Sequence, residues 1–170
     1  RLEPDAPEIR PWVTQNSAEW RINQDLSLLG RANFGNSRFL DPSDLTARFF
    51  EFSTGLAYRP VDSDRLNWLT RYTLFHERAN DAQFEGADSG LVAVDELSHI
   101  VSLEGAYELT KYLQVVEKWA YRLSTFNTST VSRLNLGTFL WVHRFNYHVT
   151  RKWDVGAEYR MLFQLNTADS

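Results

Sequence analysis

The C-terminal part of the chain carries the feature that most constrains its fold, a strict alternation of residue types from Trp153 to Leu165. Every odd position there is apolar, and every even position except Leu162 is charged, polar or glycine. Because successive side chains of a β-strand point to opposite faces, this segment predicts a strand with one apolar and one charged face. Its thirteen residues exceed the ~5–6 of a typical soluble strand and suit a tilted strand that crosses a bilayer, which needs ~9–11 residues.

Similar alternation continues through the rest of the chain, divided by turns and loops of two kinds. Short turns lie near residues 24, 62, 111 and 151, and mostly longer loops lie near residues 40, 88 and 128. Short turns at one end and long loops at the other are typical of an up-and-down transmembrane barrel. The predicted strands are a weak first strand at residues 12–22, followed by strands at 26–34, 47–59, 65–78, 98–109, 113–124, 132–149 and 153–165.

These observations predict an all-β fold, an up-and-down antiparallel transmembrane β-barrel with about eight strands in this segment, complete or part of a larger barrel. Residues 1–17 are predicted to be an irregular lead-in, residues 18–165 the barrel or barrel segment, and residues 166–170 a polar tail. The longest predicted loop, at 79–97, is the segment best suited to external recognition by its length and exposure. A change of phase near residues 139–142 predicts a β-bulge or bend in the seventh strand.

Composition argues against several other classes of protein. No stretch approaches the ~20 uninterrupted apolar residues that a membrane-spanning helix requires. Aromatic residues make up 14% of the chain, with six Trp and seven Tyr, which is typical of the interfacial girdles of barrels. A net charge of −4 and the lack of a basic tract argue against a nucleic-acid partner. Without cysteine the chain has no disulfide, thiol nucleophile or cysteine metal site.

Two hairpins carry a resemblance to a known class of proteins. The segments Gly105–Val115 and Tyr147–Tyr159 resemble the turn units of bacterial outer-membrane β-barrel proteins, both porin-like barrels and the C-terminal barrels of large surface proteins. The resemblance covers roughly residues 18–165 and is to the architecture. It implies a location in the bacterial outer membrane, surrounded by its lipids.

The chain departs from that architecture at its ends. Such barrels usually finish on a terminal aromatic residue with both termini periplasmic, whereas here Ser170 is last and the strand phase places both ends on the long-loop side. We therefore expect a segment of a larger barrel, whose open edges pair with further strands of the same protein or with partner chains.

The polar positions of the predicted strands form a charged face. In a transmembrane barrel this face lines the lumen, where it either selects solutes in a channel or fills a narrow barrel with ion pairs. The predicted lumen-facing charged residues are Arg31, Glu51, Arg59, Arg71, Glu104, Glu108, Lys118, Arg122, Glu158 and Arg160.

The opposite face is rich in aromatic residues. In a transmembrane barrel these side chains anchor at the bilayer interfaces, whereas in a soluble barrel they form the core. Glu117 is the exception on this face, and a lipid-facing position for it requires a bulge or a place near the headgroups. The predicted lipid-interface aromatic residues are Trp20, Tyr58, Trp68, Tyr107, Trp119, Tyr121, Trp153 and Tyr159.

The sequence predicts no catalytic site, no metal site and no cofactor. Glu104 and Glu108 lie four residues apart on one predicted strand, roughly 13 Å, which is too far for them to share acid and base roles. The four histidines show no metal-ligand spacing, and His143 and His148 should lie on opposite faces. No Gly-rich phosphate loop appears.

Three functions remain open from the sequence. The first is a non-enzymatic outer-membrane barrel that serves as a pore or a membrane anchor. The second is an outer-membrane enzyme with a site at the barrel rim. The third is a soluble, lipocalin-like barrel with its apolar face inward around an apolar ligand. Alternation alone does not tell which face is inside.

Overall fold

A computed structural model describes residues 9–39, 46–63, 65–83, 90–128, 133–150 and 152–168. These residues form one antiparallel sheet of eight strands in sequence order, which confirms the predicted all-β, up-and-down fold. No helix in the described part is long and apolar enough to cross a membrane. The strands are β1 (Ile9–Arg21), β2 (Leu26–Phe39), β3 (Thr46–Tyr58), β4 (Leu66–Gln83), β5 (Gly90–Thr110), β6 (Leu113–Thr128), β7 (Leu134–Thr150) and β8 (Trp153–Ala168).

Each strand pairs only with its neighbours in sequence, so the sheet has two edges. Within the described ranges, β1 pairs with β2 alone and β8 with β7 alone. An edge strand presents a row of main-chain N–H and C=O groups that no partner strand satisfies. The sheet of the described residues is therefore open.

The register sorts the side chains of all eight strands into two sets, because directly paired residues of antiparallel strands share a face. One row runs across the whole sheet through Ser17, Arg31, Ser53, Thr73, Ile100, Arg122, Thr138 and Gln164. We call the face that carries this row the polar face. The apolar face is the opposite one, with the row Ala18, Gly30, Thr54, Tyr72, Val101, Tyr121, Phe139 and Phe163.

The buried side chains of the sheet are polar, the reverse of what a soluble protein shows. No hydrophobic side chain of the described residues is buried, and the buried polar ones, Asn33, Ser53, Ser98 and Ser124, all lie on the polar face. On the apolar face of β5, Val101 is 51% exposed. Among the described residues, the buried side chains therefore lie on the polar face, and the apolar face has none.

Tight turns join the strands at one end of the sheet. The side chain of Asn23 accepts hydrogen bonds from the N–H groups of Asp25 (2.9 Å) and Leu26 (2.8 Å). Thr110 does the same for Tyr112 and Leu113 through its hydroxyl, at 3.2 and 3.1 Å. Such local bonds from Asn and Thr fix the turn geometry.

Several predicted strand ends were wrong at the opposite, loop end of the sheet. β1 begins at Ile9, within the predicted irregular lead-in and three residues before the weak first strand predicted from residue 12, and β2 continues to Phe39, five residues into the predicted loop at 35–45. The predicted long loop at 79–97 is mostly strand, because β4 and β5 stay paired from Ala79↔Val94 to Gln83↔Gly90. Residues 84–89 of that loop lie outside the described residues.

The predicted bulge near residues 139–142 was also wrong. β7 pairs with β6 and β8 in continuous register there, and the register shifts only between His148 and Thr150. The change of phase in the sequence arises because Leu136, Leu140 and Val142 lie on the polar face of β7. In the sequence, these apolar residues on the polar face resemble the pattern that a one-residue bulge would produce.

Candidate functional site

The polar face gathers the predicted charged residues. Nine of the ten lie on strands, and the register places all nine on this face. The tenth, Arg59, follows β3 in an exposed position, with its main-chain N–H donating to the carbonyl of Asp25 at 2.7 Å. Whether the face lines a lumen stays a prediction.

Opposite charges pair across neighbouring strands in the second half of this face. Glu158 on β8 accepts a hydrogen bond from Nε of Arg144 on β7 at 2.5 Å and also pairs with Arg160. Lys118 Nζ lies 3.7 Å from a carboxylate oxygen of Glu104 directly opposite. These five residues line one depression of the polar face. Arg144 was missed by the sequence analysis, because its face follows only from the register.

A second polar cluster lies in the first half of the face. Arg31 Nε donates to the side-chain oxygen of Asn33 at 3.2 Å, and the amide nitrogen of Asn33 donates to Glu51 at 3.1 Å. Asn33 is only 4% exposed, so its buried amide is satisfied on both sides. Arg31 and Glu51 also line a depression that includes Arg71.

The most enclosed polar groups form a third cluster between β5 and β6. Ser98 and Ser124, each 0% exposed, lie opposite each other with their hydroxyl oxygens 2.6 Å apart. Ser98 donates to Glu96 at 2.6 Å, and Arg122 pairs with Glu96 and donates to Ser124 at 2.9 Å. We call these four residues the Glu96 cluster. Of these four residues only Arg122 is predicted from the sequence, since no sequence spacing shows which residues of two strands meet.

The Glu96 cluster is unsuited to nucleophilic catalysis. A serine nucleophile needs an adjacent base and access to a substrate. Both hydroxyls are fully buried, and the carboxylate that would act as the base is already paired with Arg122. The Glu96 cluster is therefore structural. The other two acids considered for catalysis, Glu104 and Glu108, lie on the polar face as predicted, opposite Lys118 and Gln114.

The apolar face gathers the predicted aromatic residues, all eight of them. Trp119 and Trp141 lie with ring centroids 6.3 Å apart, and Tyr58 and Trp68 lie 5.8 Å apart. Trp153, at the turn end of β8, is 72% exposed. The rings thus coat the outward face, and their contact with lipid stays a prediction.

Glu117 lies within this aromatic surface. β6 is in continuous register with β5 and β7 there, so no bulge moves the carboxylate to the other face. It accepts hydrogen bonds from the indole nitrogens of Trp141 (2.8 Å) and Trp119 (3.3 Å) and contacts Nδ1 of His143 directly opposite. We call these four residues the Glu117 cluster. An acid on an apolar surface is tolerated where such partners satisfy it.

The histidines have separate partners. His143 lies on the apolar face and His148 on the polar face opposite Asp154, which confirms the prediction that they lie on opposite faces. His76 contacts Asp95 and His99 contacts the Tyr72 hydroxyl, both at 2.8 Å. The described residues contain no group of three side chains able to hold a metal ion.

Comparison of the chain with protein-family models, with curated proteins and with solved structures gave no match. The geometry of the two faces is therefore the basis for assigning a function.

Proposed function

We propose that this chain is the wall of a transmembrane β-barrel in a bacterial outer membrane, with no enzymatic activity of its own. In this proposal the apolar face contacts lipid and the polar face lines the lumen. The observation that carries it is the burial order of the sheet: within the described ranges the four buried polar side chains lie on the polar face, whereas Val101, Tyr121 and Phe163 on the apolar face are about half-exposed.

The exposed apolar surface supports lipid as the neighbour of that face. On the apolar face, Val101 and Leu103 of β5 and their direct partners Tyr121 and Trp119 of β6 are all 45–51% exposed, so large apolar side chains lie side by side in the open. Contiguous apolar patches beyond a few hundred Å² mark membrane or protein contacts. A soluble barrel around an apolar ligand would instead enclose the apolar face.

The strand lengths support a membrane crossing. From Leu66 at the turn end to Arg78 at the loop end, β4 advances twelve residues on the apolar face, which is about 40 Å along the strand. For strands tilted by about 40° from the membrane normal, this length covers about 30 Å along the normal, which is the thickness of the hydrocarbon core.

A pore is the first candidate role. Both edges of the described sheet are open, which favours a barrel of more than eight strands after pairing with further strands or chains. A lumen wider than that of an eight-stranded barrel leaves a water-filled passage. The depressions lined by Arg31, Glu51 and Arg71 would then face that passage.

A plugged membrane anchor is the second candidate. It is favoured by the ion pairs Arg144–Glu158–Arg160 and Lys118–Glu104. In a barrel closed by β1 and β8 alone, the interior is just wide enough to be filled by side chains. These pairs would then occupy the lumen.

The experiment is single-channel conductance of the full chain, refolded in detergent and added to a planar bilayer. Stable ohmic steps support the pore. A folded, heat-modifiable protein that inserts without conducting supports the anchor. A chain that folds to β-structure in plain buffer as a monodisperse monomer contradicts the membrane proposal in both forms.

A further inference from the structure

A row of arginines lies at the loop end of the apolar face. Arg48 on β3 is directly opposite Arg78 on β4, and the row continues through Asp95 and Asn127. Phe126 pairs with Leu134, so the same register places Arg133 beside Asn127. All three arginines are exposed, and within the described ranges none of them forms an ion pair or hydrogen bond.

The single acid of this row is already engaged. Asp95 lies directly opposite Arg78 but contacts Nε2 of His76 at 2.8 Å, and within the described ranges neither Arg48 nor Arg78 forms an ion pair or a hydrogen bond. With three arginines and one acid, the row remains positively charged. Like charges directly opposite each other across two strands destabilise a sheet. An anion between the two guanidinium groups would remove that repulsion, and phosphate suits them because arginine can bind it with two parallel hydrogen bonds.

An apolar depression adjoins the arginine row on the side of the aromatic surface. Phe50, Leu74 and Leu97 line it together with His76, Asp95 and Arg133, and its volume is about 620 Å³. A ligand that spans both features needs a negatively charged head and a hydrocarbon tail. Its head would lie about 30 Å from the turn end of the sheet, which is the level of the headgroups if the apolar face spans a bilayer.

We infer that the loop end of the apolar face binds a lipid with an anionic phosphate headgroup, with the phosphate held by Arg48 and Arg78 and an acyl chain lying over Phe50, Leu74 and Leu97. The inference rests on the proposed function, since it requires the apolar face to contact lipid. It adds a site selective for one class of lipid to a surface that would otherwise bind different lipids equally.

The test uses the full chain reconstituted in phosphatidylcholine vesicles that contain a small fraction of nitroxide-labelled lipid. Because the chain has no cysteine, Thr125→Cys, which lines the depression, can carry a single fluorophore. Val155→Cys, on the same face near the turn between β7 and β8, serves as the distant reporter. Quenching by labelled phosphatidylglycerol is compared with quenching by labelled phosphatidylcholine at equal mole fraction.

The expected result is stronger quenching by phosphatidylglycerol at position 125 and equal quenching by both lipids at position 155. Arg48→Gln and Arg78→Gln should each lower the preference at position 125 by roughly fivefold, the effect expected for one basic residue near a membrane surface. The matched controls each remove one charge at the turn end, as Lys111→Gln and Lys152→Gln, and should leave the preference unchanged.

Two results would overturn the inference in distinguishable ways. Inserted, heat-modifiable protein with equal quenching by both lipids at position 125 removes the lipid site and leaves the proposed function intact. Failure to insert into any vesicle removes the proposed function and the lipid site together.

Discussion

Glu96 and Glu117 lie on neighbouring strands, and each is paired with a basic side chain, but their surroundings are opposite. Glu96 contacts Arg122 and a buried serine hydroxyl on the polar face. Glu117 contacts His143 and two indole N–H groups on the apolar face. The first carboxylate belongs to a polar network, whereas the second is a polar site within an aromatic surface. A charge therefore does not define a face, and the partners around it do.

The largest expected effect compares adjacent positions of β5 on opposite faces. Val101→Arg should destabilise the protein in phospholipid vesicles by about 2–4 kcal/mol, the cost of arginine on the lipid side near the bilayer midplane. Ser102→Arg, its control on the polar face, should cost much less. Urea titration followed by tryptophan fluorescence measures both, and equal costs would contradict the assignment of the apolar face to lipid.

A smaller effect is expected when the Glu96 cluster loses its acid. Glu96→Leu leaves Arg122 without its ion pair and removes the carboxylate that accepts from Ser98, which should lower the free energy of unfolding by about 1.5–3 kcal/mol. Glu108→Leu is the control on the same strand and face, where no ion pair is present in the described part of the chain. The same urea titration measures both variants. If the two substitutions cost the same, the cluster would not be the stabilising unit that its geometry indicates.

The Glu117 cluster should respond differently to the loss of one and of both partners. Glu117→Leu alone leaves His143 and two indole N–H groups without their acceptor, and should cost about 1–3 kcal/mol in vesicles. Adding His143→Leu should recover part of that loss, since apolar replacement of both partners of a buried pair is often close to neutral. A double-mutant cycle measures the coupling, and additive costs would show that the pair is energetically independent.

The smallest effect is expected for the exposed pair on the polar face. Lys118 and Glu104 have side chains 46% and 52% exposed, so Lys118→Gln should change stability by less than about 1 kcal/mol, as for other solvated ion pairs. Lys111→Gln, in the turn between β5 and β6, matches the change in charge. A much larger loss of stability for Lys118→Gln, in the same vesicle assay, would indicate that the pair is less accessible to water than its exposed fractions suggest.

The number of strands, their order and, outside β7, the face of each predicted site residue could be predicted from the sequence. Alternation with period two reports the two environments of a strand directly, and this made β8 recognisable over Trp153–Leu165. The strand ends on the loop side could not be predicted. Near Ala79 and Val94 both faces carry polar residues, so the alternation fades although the strands remain paired.

The partners within each cluster could not be predicted either. Glu96 and Arg122 are 26 residues apart, as are Glu117 and His143. Which residues meet is decided by the register of β5, β6 and β7, and a shift of one residue would send every side chain to the other face. The side-chain hydrogen bonds to Asn23 and Thr110 that help to fix the turns are visible in the sequence only as residue types common in turns.

The order of the strands also has a consequence for how the chain folds. Among the described residues, every contact between strands joins sequence neighbours, so each hairpin can nucleate independently and adds its neighbour at a small loss of loop entropy. Only the pairing of the two edge strands, with each other or with other strands, joins distant segments or separate molecules. That step should be the slowest in assembly, and until it occurs β1 and β8 are the parts of the sheet most open to non-native strand pairing.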